Sequence, residues 1–296
     1  MKKVLLVAAL FAGVTAVHAE DTLKKLKDSG SITLGVRESS GLSYTIGDGK
    51  FVGYHIDVCD RVVADLRKQL GGKLDVKLQP VTSANRIPLT VNGTIDLECG
   101  STTNNAARQK DVAFAVTTYV EEVRIAVKAN SGITGINQLA GKTIATTTGT
   151  TSVQTLRKHE RAAGVDFKEV FGKDHADSFL LLDSGRADAF VMDGSILAKN
   201  IATSKNPADF KIVGEVLAVE PIAIMLRKDD PAFKKAVDDS IKGLIKSGDL
   251  AKLYDKWFLQ PIPPTNTKIG LPLSAATKDA WANPNDKPAE DYAAKK

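Results

Sequence analysis

The stretch Glu98-Cys99-Gly100-Ser101-Thr102-Thr103-Asn104-Asn105 is a polar segment that directly follows an apolar, β-prone run, Thr94-Ile95-Asp96-Leu97. A strand that ends in Gly-Ser-Thr-Thr places backbone N–H groups and hydroxyls at its carboxyl end, which is the edge of an open α/β sheet where ligands bind. Amides and hydroxyls donate hydrogen bonds without adding net charge, and such a cluster suits an anionic group. The alternative is an ordinary polar loop, and the stretch alone leaves both open.

The residues before this stretch predict alternating strands and helices. Alternating apolar residues predict the strands, and apolar residues at helical spacing that end at a glycine predict the helices. In chain order the prediction is a helix over 22–29, a strand over 32–36, a helix over 56–70, a strand from 74 broken at Pro80, a short helix capped by Ser83 or Asn85, and a strand over 94–97. This order implies a parallel sheet with right-handed crossovers.

The same pattern restarts near residue 143, with strands over 143–146, 167–171 and 187–192. Residues 89–97 and 182–190 both read as a helix end, a glycine stop, an Asp and then a strand, which suggests one unit used once in each of two lobes. Separate strands are predicted over 210–216 and 221–226, followed by helices over 232–245 and 250–258 and a tail from Gln260 that straps over the surface and ends in disorder.

Two extended segments, near 120–127 and 216–226, flank the second unit and predict paired crossovers between the lobes. The first lobe is then discontinuous in sequence. We expect lobe 1 to comprise residues 20–122 and 220–296, the latter including the tail, and lobe 2 to comprise residues 123–219.

Residues 1–19 have the pattern of a secretory signal peptide. Met1-Lys2-Lys3 is basic, residues 4–17 are apolar, and Val17-His18-Ala19 is a small-x-small exit, so cleavage is expected after Ala19. The apolar run is too short to span a bilayer. The formal net charge of the chain is +5, and removal of this segment lowers it by two. A small positive charge without a run of basic residues argues against nucleic acid as a partner.

The chain contains two cysteines, Cys59 and Cys99. Export favours a disulfide between them, which would remove roughly 3–4 kcal/mol of unfolded-state entropy. The alternative is two buried free thiols.

Motifs for catalysis or cofactor binding are scarce. No Gly-x-Ser-x-Gly elbow is present, and no His or Cys cluster has metal-ligand spacing. Gly141-Lys142-Thr143 resembles the end of a phosphate loop, but the first glycine of that motif would have to be Ile136. No catalytic residue, metal or cofactor is therefore expected.

Polar residues recur at the carboxyl ends of the predicted strands in both lobes, where facing lobes would bring them into one cleft. They are Arg37, Ser83, Arg86, Ser101 and Thr103 in the first lobe, and Thr147, Thr150, His175 and Asp193 in the second. Two arginines, a histidine, an aspartate and several hydroxyls complement two carboxylates and one ammonium, the charge pattern of an acidic amino acid. Each residue also has a simpler interpretation: Arg37 as a surface ion pair with Glu38, His175 as a helix start and Asp193 as an N-cap.

At these residues the chain resembles a known family, the periplasmic substrate-binding proteins of ABC transporters for polar amino acids, and within it the glutamate/aspartate-binding branch. The resemblance extends over essentially the whole chain after residue 19. The matching runs are 35–40 (GVRESS), 82–89 (TSANRIPL), 98–105 (ECGSTTNN), 148–152 (TGTTS), 173–179 (KDHADSF), 190–193 (FVMD), 225–230 (MLRKDD), 256–258 (KWF) and 261–264 (PIPP).

The resemblance implies an α/β fold of the two-lobe periplasmic-binding-protein type, type II-like, with two hinge strands and the ligand in the interlobe cleft. It implies that Arg86 holds the α-carboxylate as a planar fork, helped by Ser101, Thr103 and Thr150. Asp193 would take the α-ammonium, with a contact from Ser101.

The resemblance further implies that four residues receive the side-chain carboxylate and set acidic specificity: Arg37, Ser83, Thr147 and His175. The expected function is capture of L-glutamate and/or L-aspartate by lobe closure and delivery to the permease subunits of an ABC importer, by a monomer in the periplasm. The rivals are a periplasmic enzyme of the cyclohexadienyl dehydratase type on the same fold and a chemosensory amino-acid-binding protein. Glutamate and aspartate differ by one methylene group. The preference between them depends on the depth of the pocket, so the sequence does not rank the two ligands.

Overall fold

A computed structural model describes residues 21–293 of the 296-residue chain. The predicted signal peptide, residues 1–19, lies outside the described residues. Within residues 21–293 no helix is both long enough and apolar enough to cross a membrane.

The described strands and helices follow closely the order predicted for the first 200 residues. The strands are β1 Ser31–Val36, β2 Tyr44–Thr45, β3 Phe51–Val52, β4 Asp75–Pro80, β5 Leu97–Glu98, β6 Val112–Phe114, β7 Tyr119–Lys128, β8 Thr143–Thr147, β9 Lys168–Gly172, β10 Ala189–Asp193, β11 Phe210–Ile222, β12 Met225–Arg227, β13 Pro261–Ile262 and β14 Thr267–Lys268. The helices are α1 Thr22–Ser29, α2 Tyr54–Leu70, α3 Arg86–Val91, α4 Thr151–Ala163, α5 His175–Asp183, α6 Gly194–Ala202, α7 Pro231–Ser247, α8 Asp249–Tyr254, α9 Ala275–Ala282 and α10 Ala289–Ala293.

Two five-stranded sheets define two lobes. Lobe 1 is built on the sheet β4-β1-β5-β12-β6, in which β1 is parallel to β4 and β5 as predicted, and β12 is antiparallel to β5 and β6. Lobe 2 is built on the sheet β11-β7-β10-β8-β9, in which β8 is parallel to β9 and β10. The carboxyl ends of these parallel strands carry the polar residues singled out in the sequence.

The two connections between the sheets run side by side as a pair of hinge strands. β7 and β11 are antiparallel and pair from Tyr119 opposite Ile222 to Lys128 opposite Phe210. Beyond them Thr118 N donates to Ile222 O at 3.0 Å, so the ladder continues toward lobe 1.

The prediction of a strand over 210–216 followed by a separate strand over 221–226 is wrong. Residues 210–222 form one continuous strand, β11, with an irregularity between Val213 and Ala218 where Gly214 has a φ of 75°. Pro221 suggested a strand start, but β11 lies at the edge of its sheet, where the missing N–H of a proline leaves no ladder bond unmade.

The core of lobe 1 packs the apolar face of α2 against the sheet. The helical spacing predicted this face correctly, because Cys59, Val62, Val63 and Leu66 are all buried. Cys59 forms a disulfide with Cys99, which directly follows β5, and the two Cα atoms lie 6.3 Å apart. The disulfide predicted from export is thus confirmed, and it fastens the polar stretch 98–105 to the longest helix before it.

The described part of the C-terminal tail is folded onto the hinge side of the molecule. Val120 N donates to Thr277 Oγ1 at 3.1 Å, and the indole of Trp281 donates to Thr118 O at 2.9 Å. Ala289 N donates to Asn104 O at 2.9 Å, so α10 reaches back to the polar stretch. The tail therefore straps the start of the hinge, as its composition suggested, but with regular helices.

Candidate functional site

A small cavity of about 10 Å³ lies between the lobes at the carboxyl ends of their parallel strands. Its lining is almost wholly polar and comes from both lobes. The lining residues are Ser83, Arg86, Ser101, Thr103, Arg108, Thr150, Thr151, His175, Met192 and Asp193. Seven of the nine residues singled out in the sequence are among them, and the other two, Arg37 and Thr147, lie directly behind the wall.

Arg86 is a buried cation without a nearby counter-ion. It opens α3, and its side chain is 2% exposed. Nη1 donates to the carbonyl of Ser83, while Nε has no hydrogen-bond partner and no carboxylate lies within ion-pair distance among the described residues. Burial lowers the pKa of Arg86 well below its usual value, and the charges of Arg108 and Arg37 add to the effect. A cation in this state is stabilised by an arriving anion.

Arg37 lies one contact behind the cavity wall. Its Nη2 donates to Ser83 Oγ at 2.6 Å and to His175 Nε2 at 3.0 Å, so it joins a residue of lobe 1 to one of lobe 2. Its Nη1 lies 3.8 Å from Glu98 Oε1. Arg37 is therefore no surface ion pair with Glu38, because its guanidinium is buried and turned inward.

His175 is neutral, which corrects its place in the predicted charge set. Arginine only donates, so His175 Nε2 accepts from Arg37 and Nδ1 carries the proton that is donated to Thr147 Oγ1 at 3.0 Å. Burial and the charge of Arg37 lower the pKa of His175 to about 3. Thr147 is fully buried and also bonds Ser178 Oγ at 2.8 Å, so it orients the imidazole.

Asp193 presents a buried carboxylate to the cavity from the junction of β10 and α6. Asp193 occupies the N-cap position of α6, as the simpler interpretation predicted, but its side chain makes no capping bond. No hydrogen bond to this carboxylate is formed by the described residues. Burial raises the pKa of Asp193 well above its usual range, the carboxylates of Glu121 and Glu220 raise it further, and Arg108 and Arg86 oppose the shift. A cation placed here would stabilise the charged form.

Two charged residues of the site, Arg108 and Glu220, were not identified from the sequence. Arg108, in the polar segment that leaves the opening stretch, donates from Nη1 to Thr103 O at 2.8 Å, and burial lowers its pKa. Glu220 on β11 accepts from Thr151 Oγ1 at 2.8 Å and from Thr103 Oγ1 at 2.5 Å, so it ties both lobes to a hinge strand. Arg108 could have been found from its position after the stretch, but Glu220 has no local signal because it occupies an ordinary strand position.

The remaining two residues that were predicted from the sequence and line the cavity differ in their surroundings. Ser101, directly after Gly100, is almost fully buried and faces the cavity. Thr150 Oγ1 donates to Thr147 O at 2.8 Å at the start of α4. The two lobes touch next to Thr150, where Gly149 packs against the backbone of Ala84. A Cβ atom on Gly149 would lie 2.9 Å from that backbone, so only glycine permits this approach.

The site offers no arrangement for metal binding. In residues 21–293 no group of three or more His, Cys, Asp or Glu side chains is placed to hold a metal ion.

Two α/β lobes, two hinge strands and a charged interlobe cavity define the two-lobe periplasmic-binding-protein fold. Residues 32–260 match the family described as bacterial extracellular solute-binding proteins, family 3. The chain belongs to this family.

Relatives of known function and solved structures agree with this assignment. The chain is 42% identical over 286 residues to the L-glutamate/L-aspartate-binding protein of Pseudomonas aeruginosa, covering 96% of this chain and 95% of that protein. It is 43% identical over 290 residues to the glutamate/aspartate import solute-binding protein of Escherichia coli K12, covering 96% of each. A crystal structure of the substrate-binding protein of an amino acid ABC transporter superposes with a TM-score of 0.68 at 29% identity, covering 78% of this chain and 100% of that one. These relatives are binding proteins and not enzymes.

Proposed function

We propose that this protein captures L-glutamate or L-aspartate in the interlobe cavity and delivers it to an ABC importer. The observation that carries the proposal is the pair formed by Arg86, a buried cation with no carboxylate at ion-pair distance, and Asp193, a buried carboxylate without a hydrogen bond. An amino acid supplies the missing partner of each through its α-carboxylate and α-ammonium. Two of the relatives reported above carry glutamate and aspartate in their names.

The α-groups of the ligand are held at one end of the cavity. Arg86 takes the α-carboxylate, with Ser101 as a hydroxyl donor. Thr150 donates its hydroxyl proton to Thr147 O, so it can donate to the ligand only after its hydroxyl turns toward the cavity. Thr103 donates its hydroxyl proton to Glu220, so its hydroxyl oxygen is left only as an acceptor for the ligand. It therefore contacts the ligand through its backbone N–H or accepts from the ammonium beside Asp193. This differs from a simple hydroxyl-to-carboxylate contact.

The side-chain carboxylate of the ligand lies at the opposite end. Ser83 Oγ accepts from Arg37, which leaves its own proton free for the carboxylate. His175 and Thr147 hold Arg37 in place rather than supplying charge, because the imidazole is neutral. In this proposal acidic specificity comes from Arg37. Its guanidinium either polarises the Ser83 hydroxyl that contacts the ligand or moves next to Ser83 and contacts the ligand directly.

Closure of the lobes completes the site. We infer that residues 20–122 and 220–296 move as lobe 1 and residues 123–219 as lobe 2, about hinge strands β7 and β11. Some hydrogen bonds join the two lobes and require that they lie together. Ser39 Oγ of lobe 1 accepts from Ala176 N of lobe 2 at 3.1 Å and donates to Asp174 of lobe 2. The ligand favours this state because its charges are desolvated and need partners from both lobes. The importer's permease subunits then recognise the closed monomer in the periplasm.

Arg86→Ala tests the proposal. We expect it to abolish binding of every amino acid, since a charge-assisted contact contributes about 1.5–3 kcal/mol and its loss also leaves the α-carboxylate unpaired in a dry site. Isothermal titration calorimetry with glutamate and aspartate measures this. Arg61→Ala is the matched control, because Arg61 is an exposed arginine that pairs with Asp249 far from the cavity. Unchanged glutamate affinity in Arg86→Ala would refute the proposed site.

A further inference from the structure

Glu98 is a buried carboxylate behind the cavity that the proposed binding contacts do not use. It ends β5, is completely buried and does not line the cavity. Its Oε2 accepts from Thr102 Oγ1 at 2.8 Å. Its Oε1 has no hydrogen-bond partner among the described residues and lies 3.8 Å from Arg37 Nη1, which is ion-pair distance without a hydrogen bond.

The local sequence leaves room for this carboxylate only because residue 100 is glycine. A Cβ atom on Gly100 would overlap the carboxylate of Glu98 and would lie 2.7 Å from Arg37 Cγ. The Glu-Cys-Gly order thus places an acid directly against the arginine. Cys99 between them is held by the disulfide to α2, so the carboxylate sits on a fixed backbone.

Glu98 acts as a counter-charge for the whole arginine set of the site. Besides facing Arg37, its charge raises the pKa of both Arg86 and Arg108, against the larger lowering effect of burial. No other carboxylate lies within ion-pair distance of Arg37 in the described residues, although Arg37 and Asp174 also attract each other from beyond that distance. Glu98 is therefore the nearest counter-charge of the cation assigned to the ligand side chain.

We infer that Glu98 sets how strongly the pocket distinguishes an acidic ligand from its amide. The inference rests on the proposed function, in which the side chain of the ligand points toward Arg37 and Ser83. With Glu98 charged, the subsite has almost no net charge, and a carboxylate gains less over a carboxamide than it would from an unpaired arginine. Glu98 therefore tempers acidic selectivity and keeps the empty pocket from holding a bare buried cation.

Glu98→Gln is the direct test because glutamine keeps the shape and can still accept from Thr102. The orientation of Arg37 is held independently by Ser83 and His175. We expect the ratio of the dissociation constants for glutamine and glutamate to rise at least about tenfold, which corresponds to about 1.4 kcal/mol. Effects of Glu98 on the α-groups are common to both ligands and cancel in the ratio.

Thr102→Val is the matched control. It removes the hydroxyl that bonds Glu98 Oε2 but keeps the carboxylate charge, so the selectivity ratio should stay within about threefold of the wild type. Calorimetry with glutamate, aspartate, glutamine and asparagine gives the ratios, and circular dichroism checks folding. A ratio for Glu98→Gln that is unchanged or lower than the wild type overturns the inference.

A second comparison covers the case in which Glu98→Gln does not fold. The single variant Arg37→Gln leaves the charge of Glu98 behind the subsite without its partner. The double variant Arg37→Gln/Glu98→Gln removes both charges, so no unpaired charge remains. We expect the double variant to bind glutamate at least about tenfold more tightly than Arg37→Gln alone. Equal affinities would overturn the inference. If instead wild-type protein binds none of the four ligands, the proposed function itself fails.

Discussion

At the residue scale, the site is a chain of side chains in which most ligand-facing groups are supported by a second polar group. His175 supports Arg37, Arg37 supports Ser83, and Glu220 supports Thr103. Such support fixes hydrogen-bond polarity before the ligand arrives, so little ordering remains to be done on binding. In the proposed function, residues that do not contact the ligand therefore contribute to ligand selectivity through the groups that they hold in place.

Arg37→Ala should affect acids and amides differently. Loss of the guanidinium leaves Glu98 facing the side-chain subsite without its partner, so glutamate and aspartate should bind roughly 10–100-fold more weakly while glutamine changes little. Calorimetry on the purified variant measures all three affinities. Arg61→Ala again serves as control. If glutamate affinity survives Arg37→Ala, the assignment of acidic specificity to this corner of the cavity is incorrect.

Residue positions at strand ends could be predicted from the sequence, but their supporting roles could not. Strand boundaries and the parallel order bring Arg86, Ser101 and Asp193 to one edge, and the structure places all three on the cavity wall. Whether a side chain reaches the wall or stops behind it depends on its rotamer and its neighbours, which is why Thr147 turned out to be buried. The protonation of His175 follows from a contact across the lobes that no local pattern reveals.

At the element scale, the hinge strands carry two glutamates that face each other. Glu121 on β7 lies directly opposite Glu220 on β11, and directly opposite residues of an antiparallel ladder share a face. Both are buried. Glu121 accepts from the backbone and hydroxyl of Ser195, yet burial, with Glu220 adding to it, raises its pKa from 4.5 to about 7.

This pKa predicts a pH-dependent stability. The folded protein holds the Glu121 proton more tightly than the unfolded chain. The contribution of this proton to the free energy of unfolding is therefore complete below about pH 4.5 and is lost as the pH rises to about 7. Glu121→Gln removes the dependence and should be more stable than wild type at pH 8, by an amount on the order of 3 kcal/mol, with little difference at pH 4.5.

Denaturant unfolding of wild type and Glu121→Gln from pH 4.5 to 8 measures the effect. Glu122→Gln is the control, since the neighbouring Glu122 is part-exposed and pairs with Arg124. Parallel stability curves for wild type and Glu121→Gln across this range would contradict the assigned titration.

The disulfide gives a second prediction at this scale. Cys59 and Cys99 are separated by 40 residues, and replacing both by serine should lower the free energy of unfolding by about 3–4 kcal/mol. Denaturant unfolding of the double variant, compared with the wild type under non-reducing conditions, tests it. A loss below about 1 kcal/mol would show that the cross-link contributes little to the stability of lobe 1.

Element types were largely predictable, while the continuity of β11 was not. Helices such as α2 were predicted because their apolar spacing and terminal glycine act locally. In β11 a glycine and a proline suggested an interruption, and the pairing with β7 overrode both. Long-range pairing of this kind is set by the partner strand and not by the residues themselves.

At the scale of the whole molecule, the charged groups around the cavity come from different parts of the fold. Arg37, Arg86 and Arg108 lie on the lobe 1 side, while Asp193 projects from lobe 2 and Glu220 from the hinge. In the proposed function, a zwitterion that carries one further carboxylate pairs with these groups when the lobes close on it. The two-lobe order was visible in the repeated strand–helix pattern, whereas the facing of the two sheets that creates the cavity required the structure.

The most direct test of the central claim is a calorimetric comparison of glutamate, aspartate, glutamine and arginine on the purified wild-type protein. Glutamate or aspartate should bind one to one with micromolar or tighter affinity, which corresponds to a free energy of about −8 kcal/mol or more favourable. Glutamine should bind more weakly, and arginine should bind most weakly because its side-chain donors would face the donor groups of Arg37 and Ser83. Arginine bound as tightly as glutamate, or no binding of either acid, would contradict the account.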